Sequence, residues 1–385
     1  MRQLDDVLNT LQGHENTHAL LALWRLAARA YHLAKKDNDA YRCKAAAAEC
    51  LVAEAENAQS ALVGSHHLSA AIAELHGIPG KKDRRTELRH RLIDIQAGIS
   101  EELSIFSQEV DLRAIVENVE KEIKKHGLLD KLLLFATVAR SPDPNELVKE
   151  AVASIQEHPL ASLIGASHLD REGKVVHRTD GGHFGDTGNN SAVRAQIAQG
   201  EGIRRRLIAF GQIDPARRTI MEEHYLSDDV FVALLQYSPF VPADLLETFA
   251  RGFARFFQGD FVSAAYILTP LLENSLRHVL KAHGHDVTIF DDASQTQQDR
   301  TMSSLFEQMR VELDSIFTNP IIVDLENVFL TKPGPYLRHS LAHGLLHDGD
   351  PYGPDAIYGC WLIIRLCLLP LIPHRDKLKP SFDLL

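Results

Sequence analysis

Apolar residues recur at three- and four-residue spacing from Leu4 to about Gln156. They sit in long blocks of strong helix formers such as AYRCKAAAAECLVAEAENAQSALV (Ala40 to Val63). That period lays the apolar side chains along one stripe of a helix, and Ala, Leu, Glu and Lys cost least to place there. Stripes of this kind are buried by packing helix on helix, so the spacing predicts an all-α protein. Breaks fall where the chemistry puts them. HGIPGKKD (His76 to Asp83) reads as a turn, and RSPDPNELVKEAV sets two prolines ahead of a new helix near Asn145. No fixed repeat period establishes a solenoid, and the N-terminal helices read as a bundle or a stacked hairpin array.

One stretch departs from the helical period. ASLIGASHLDREGKVVHRTDGG alternates on either side of a DREG turn, predicting one small β-hairpin at about residues 162–178, with strands over Ser162 to Leu169 and Lys174 to His177. The GGHFGDTGNN that follows (Gly181 to Asn190) lacks the G-K-[ST] ending of a phosphate cradle and reads as a plain loop. Helical pattern resumes over Ser191 to Phe210 and Asp214 to Tyr237, with Asp214 as cap and Pro215 at the first helical position. At 385 residues the chain exceeds what one core usually serves. The two prolines of SPFVPAD (Ser238 to Asp244) place the boundary between an N-terminal helical domain, residues 1–237, and a C-terminal helical bundle, residues 238–385.

In that second part helices are expected over Leu245 to Gln258, Phe261 to Ala282, Thr301 to Phe317, Ile321 to Leu330, Tyr336 to Leu346 and Pro354 to Leu369. AAYILTPLLENSLRHVL, within the second of these, is apolar nearly all round and belongs at the bundle centre. The run from Ala356 to Ile372 is short for a bilayer span and is interrupted by Arg365 and Pro370, so it reads as a buried core helix. The opening segment carries Asp5 and Asp6 and has no secretory pattern, which leads to a cytoplasmic expectation with no membrane partner. Cys43 with Cys50 and Cys360 with Cys367 are each seven residues apart, too far along a helix to bridge and not a C-x-x-C motif, and are expected as reduced thiols. A net charge of -11 argues against coating nucleic acid through a general basic surface, so any such substrate must be met at a confined site.

The sharp chemical signal is KPGPYLRHSLAHGLLHDGDPYGPD (Lys332 to Asp355). It is a short helix fenced by Pro/Gly turns and holding Arg338, His339, His343 and His347, with Leu337, Leu341 and Leu345 expected on its buried face. Three readings compete. His339, His343 and His347 at i, i+4 and i+8 form a file in which two histidines are able to ligate zinc, but Ser340 and Leu341 stand where H-E-x-x-H needs its glutamate and no further ligand is evident. No metal or cofactor is therefore expected. In a chain with 20 histidines, solvated or structurally satisfied rings are the ordinary alternative.

The third reading comes from residue order. LRHSLAHG (Leu337 to Gly344) resembles the signature of the HEPN superfamily, in which Arg, a polar residue, three further residues and His follow one another; here these are Arg338, His339 and His343. The closer resemblance is to bacterial proteins with a C-terminal L-R-N-x-x-A-H-G helix. In them it is preceded by a helix like the L-x-P-x-x-E-x-x-x-R of Leu268 to Arg277, and His339 stands where Asn is usual. The resemblance covers about Ser238 to Leu385. It implies a HEPN-like helical bundle acting as a metal-independent endoribonuclease, with RNA as substrate at a local cleft. It further implies a homodimer through the C-terminal domain and, from toxin or antiphage-defence roles in bacteria, a regulatory protein partner.

In such a site the RNA supplies its 2′-OH as nucleophile. His343 serves as acid or base because imidazole titrates near neutrality, Arg338 holds phosphate oxygens, and His339 is a second polar contact or orienter. Residues five apart on an ideal helix point about 140° apart. Arg338 and His343 therefore converge only if Arg338 bends back from the helix start or a second subunit completes the site. Glu273 and Arg277, at i, i+4, form an oriented ion pair that is able to set a carboxylate against Arg338 or to be purely structural. The rival from another class is a non-catalytic dimerisation or nucleotide-binding module. An antitoxin-type partner would carry Tyr two residues after the His, where Leu345 stands.

Overall fold

A computed structural model of the chain describes residues 17–103, 109–158, 165–179 and 191–382. Among these, helices dominate, and two small two-stranded sheets accompany them. The fold is mostly α, as the periodicity predicts. The expected loop at Gly181 to Asn190, and the first part of the strand expected from Ser162, lie outside the described residues.

The chain divides into two compact units, one of Met1–Gln108 with Ser167–Arg178 and one of Glu109–Ala166 with Thr179–Leu385. In the first, α1 (Thr17–Leu33), α2 (Asp37–Glu56), α3 (Ala61–Glu74) and α4 (Lys82–Gln96) pack in succession, followed by the single turn α5 (Ile99–Glu102). Trp24, Ala28 and Tyr31 of α1 meet Ala40, Cys43, Ala47 and Leu51 of α2, and the small residues let the backbones approach. Ser60 caps α3 by accepting from Val63 N at 3.2 Å, and the Glu102 carboxylate accepts from Ala61 N at 2.6 Å, a negative charge at the positive end of a helix. Strands β1 (Ala166–Leu169) and β2 (Val175–Thr179) flank the DREG turn, where Asp170 Oδ1 accepts from the amides of Glu172 and Lys174. Gly173 has φ +76°, and a Cβ there would stand 2.3 Å from Gln96 O, so only glycine seats this tip on the end of α4.

The second unit holds α6 (Arg113–Ile123), α7 (Leu128–Phe135), α8 (Pro144–Glu157), α9 (Ser191–Ile208), α10 (Asp214–Glu223), α11 (Asp228–Leu235), α12 (Leu246–Phe257) and α13 (Phe261–Ala282). Then come β3 (Thr288–Asp291) paired antiparallel with β4 (Thr296–Asp299), α14 (Met302–Gln308), α15 (Arg310–Ile316), α16 (Asn319–Phe329), α17 (Leu337–Ala342), α18 (Pro354–Leu368) and α19 (Arg375–Phe382). One continuous core runs from Ile123 to Phe382. Its centre is α18, buried from Ala356 to Leu368 apart from Arg365, and an aromatic cluster in which Phe257 lies 4.9 Å from Phe135 and 5.4 Å from Phe231. The most membrane-like stretch, Pro354–Pro380, is 72% buried in its apolar window and spends its hydrophobicity on this core.

Several boundaries differ from the sequence expectation. The division falls near residue 108, and the expected boundary at Tyr237 and Ser238 lies inside the second unit. There Ser238 Oγ donates to Cys367 O at 2.7 Å and Phe240 is 2% exposed. The prolines of SPFVPAD thus mark a tight turn over a shared core, because buried side chains between Ile123 and Ala139 and between Ala209 and Leu235 pack into the same cluster as the C-terminal helices. The expected break at Asp214 is a π turn, Ala209–Ile213, joining α9 to α10. Pro215 has no N–H to return to the fourth residue before it, and a widened turn absorbs the missing bond without ending the helix. Hairpin β3–β4 is a second one where one was expected; its TQQD strand is polar on both faces and gives no alternation to read.

Gly359 of α18 faces α17. A Cβ there would meet Leu337 Cδ1 at 2.8 Å, with Phe329 and Val328 at 3.4 Å. Overpacking a tight core costs about 1–3 kcal/mol and outweighs the gain of up to about 1 kcal/mol that Ala brings to a helix interior. Gly359→Ala is therefore expected to lower the urea midpoint, as read by circular dichroism. An unchanged or raised midpoint would show that Leu337 yields freely.

Candidate functional site

The Lys332 to Asp355 segment is held from two sides. Leu337 and Leu341, both 5% exposed, anchor α17 in the core beneath it, while Gly334 lets the preceding loop pass so close to α16 that a Cβ would sit 2.7 Å from Asn327 O. Tyr336, immediately before α17, has φ +52°, a left-handed conformation that costs a non-glycine residue on the order of 1–3 kcal/mol. The helix ends early. His343 is its C-cap and Gly344 takes φ +62°, the left-handed stop that glycine supplies.

This early end corrects two expectations. The helix expected over Tyr336 to Leu346 covers only Leu337–Ala342, so Leu345 does not continue the Leu337/Leu341 stripe and is 58% exposed. His347 likewise leaves the helical face of His339 and His343, and its backbone N–H donates to Asp350 Oδ2 at 2.9 Å in the following turn. The i, i+4, i+8 histidine file does not exist as one surface. Among the described residues no three His, Cys, Asp or Glu side chains are grouped as metal ligands.

Arg338 and His343 are brought towards a common neighbour. Arg338 Nε and Nη2 both donate to Glu273 Oε2 at 3.3 Å, with Arg338 35% and Glu273 16% exposed. Glu273 Oε1 accepts from Arg277 Nη1 at 2.9 Å, and Arg277 also donates to Arg300 O at the base of β4. The carboxylate of α13 thus sits between two guanidiniums, the ion pair expected at i, i+4 being one arm of it. On the other side, His339 is flanked by rings. Tyr336 stacks on it at 4.6 Å and 23°, and His343 lies 4.3 Å away at 46°. Lys332 Nζ stands 4.9 Å from the Tyr336 ring centre, an attraction between cation and π face.

The resulting file runs Lys332, Tyr336, His339, His343, with Arg338 beside it. His339 is the element that Arg338 and His343 both act upon: its partial burial first, then the charges of His343, Lys332 and Arg338, hold its pKa below the ordinary histidine value. His339, with its lowered proton affinity, the exposed ring of His343 and a half-exposed guanidinium together place two imidazoles and one fixed cation on a single short segment. Lys332 and Tyr336 escaped the sequence reading. A Lys four residues before a Tyr is ordinary, and nothing in a tyrosine's chemistry signals a left-handed backbone. Comparison of the chain with protein-family models, with curated proteins and with solved structures finds no match.

Because His339 takes up its proton at lower pH in the folded chain than in the unfolded one, its contribution to stability is present above the ordinary histidine pKa and is lost as the pH falls below it. The imidazole C2–H resonance of His339, followed by NMR, is expected to titrate below 6.5. In His343→Ala the midpoint should move up, since one of the repelling charges is gone. A midpoint at the ordinary value and indifferent to that substitution would show that the rings do not share a field.

Proposed function

We propose that the protein is a metal-independent endoribonuclease of HEPN type, cleaving RNA with Arg338 and His343 at a site completed in a homodimer. The observation that carries this reading is the placement of Arg338 and His339 on one six-residue helix with His343 as its C-cap, the His339 ring lying 4.3 Å from that of His343 and its pKa lowered by burial first and then by the charges of His343, Lys332 and Arg338. Two further features support it. Glu273 fixes Arg338 without covering it, leaving the guanidinium 35% exposed. The far end of α17 presents Ala342, His343, Gly344 and Leu345 together at the surface, an edge where a second copy of the chain would bring its own Arg and His. The resemblance of LRHSLAHG to the superfamily signature supplies the reaction class, and within it a toxin or defence role.

The chemistry asks little of the protein beyond proton transfer and charge. The 2′ oxygen bonds to the adjacent phosphorus as its proton passes to an imidazole, and the bond from phosphorus to the 5′ oxygen breaks as that oxygen is protonated. The products are a 2′,3′-cyclic phosphate and a free 5′-OH. His343 is the proton carrier, Arg338 stabilises the negative charge that grows on the phosphate oxygens, and His339 keeps the His343 ring in place. In a protein of net charge -11 the phosphate must find a local excess of cations. Arg338, Arg277, Lys281 and Lys332 against Glu273 and Asp299 provide one.

Purified protein is expected to cleave labelled total RNA in EDTA and to leave cyclic phosphate ends. Arg338→Ala and His343→Ala should each lower the rate at least about 100-fold, the usual span for loss of an acid–base group or of an oxyanion-stabilising cation. If wild type and variants cleave at the same rate, these residues do not carry the reaction. If all are equally inert while dimeric, the interaction-module reading takes its place.

A further inference from the structure

A cavity of about 400 Å³ lies in the second unit, away from α17, between the turn after α7, the start of α16 and the middle of α18. It is lined by Arg140 and Arg365, by Thr318 and Ile321, and by Thr137 and Ser141, of which Thr137 Oγ1 donates to Leu134 O at 2.9 Å and Ser141 lies against Asp324. Among the described residues, no carboxylate lines it. The volume falls in the range of about 300–1,000 Å³ in which small-molecule sites are found.

Two arginines directed at one space without an acid between them is an arrangement that repels itself. The buried acids of this region are engaged by other groups. Asp324 is fully buried, accepts from Tyr358 Oη at 2.7 Å and lies 3.5 Å from Arg204, and Glu201 pairs with Arg204 at 2.8 Å. Burial raises the Asp324 pKa, which weakens its compensation of Arg365. Arg365 donates through one Nη to Ala139 O and lies 5.4 Å from the Trp361 ring centre, yet its Nε–H is buried and has no hydrogen-bond partner. A buried, unpartnered donor on a cation costs about 1–3 kcal/mol or more. Burial is the largest influence on Arg365 and makes its proton harder to keep; the Tyr358 and Asp324 charges oppose it in part, and the Arg140 charge adds to it. The N-terminus of α16 adds to this field, because Thr318 makes no side-chain cap and the positive end of the helix is left without a counter-charge.

We infer that this cavity binds a small molecule carrying a phosphate group, its oxygens taken by Arg140, Arg365 and the Thr318 hydroxyl and its organic part lying against Ile321 and Pro320. A tetrahedral dianion suits this wall better than a carboxylate does. Two separate guanidiniums and the Thr318 hydroxyl, set around the positive end of α16, offer donors from several directions, more than two oxygens in one plane accept. The inference stands apart from the ribonuclease reading, since none of Arg338, His339 and His343 lines the cavity.

Calorimetric titration of the full chain with inorganic phosphate, adenosine 5′-monophosphate and adenosine tests it. Phosphate and the nucleotide are expected to bind and adenosine not, with the nucleotide the tighter if the organic part is also held. Arg140 is exposed, so Arg140→Gln should leave the melting curve unchanged while weakening both ligands tenfold or more; Arg365→Lys, which keeps a charge but loses Nε–H, should weaken them as well. Absence of phosphate and nucleotide binding to the wild type at millimolar concentration would overturn the proposal. So would binding that Arg140→Gln and Arg365→Lys leave untouched.

Discussion

Burial of α18 leaves no water for its polar atoms, and the second unit is arranged to answer them one by one. Trp361 Nε1 donates to Phe135 O at 2.9 Å, which fixes the end of α7. Tyr358 Oη receives from Arg204 of α9 and gives to Asp324 of α16, so three helices are joined through one phenol. Such an ordered chain of donor and acceptor is satisfied in only one arrangement. It therefore selects among the ways these apolar helices would otherwise slide past each other. Gly359, on the same helix, opens the gap into which Leu337 inserts, and the position of α17 follows from it.

The Arg/His helix is too short to hold itself. Six residues form barely more than one set of backbone bonds, and α17 keeps its place through Leu337 and Leu341 below, Glu273 at one side and the ring file at the other. Tyr336 pays for this with a left-handed backbone, a strain that stacking on His339 and the approach of Lys332 help to offset. Arg338 and His343 stand near opposite ends of the helix, and what relates them is the shared neighbour His339. An ideal helix would have sent them apart.

Much of this was legible before any coordinates. Local capping chemistry reads directly: Asp143 accepts from Asn145 N ahead of Pro144, Asp260 from Ser263 N, and Thr301 from Ser304 N, each at the start of a helix that the pattern placed. The core role of the Ala356 to Ile372 run and the Glu273–Arg277 pair also came from spacing alone. What did not read were features set by tertiary contact. SPFVPAD has the composition of a linker, and only the burial of Phe240 makes it a turn. Gly344 is a helix-ending residue in plain sight, but Leu345 completed a four-residue period and drew the expected helix past it. The Arg365 cavity has no sequence signature, because its lining comes from three separate segments, around Arg140, Thr318 and Arg365, that only the fold brings together.

The first unit is assembled from two separate stretches of chain, its helices closing before residue 108 and its hairpin arriving only with residues 167–178, where Gly173 settles against Gln96. During synthesis the helices must wait with that end of α4 uncovered while the intervening residues, which belong to the other unit, are made. The same arrangement bears on inheritance. A recombination event that moves one uninterrupted stretch takes either the helices without their hairpin or both together with part of the second unit, so this unit passes between genes only in company.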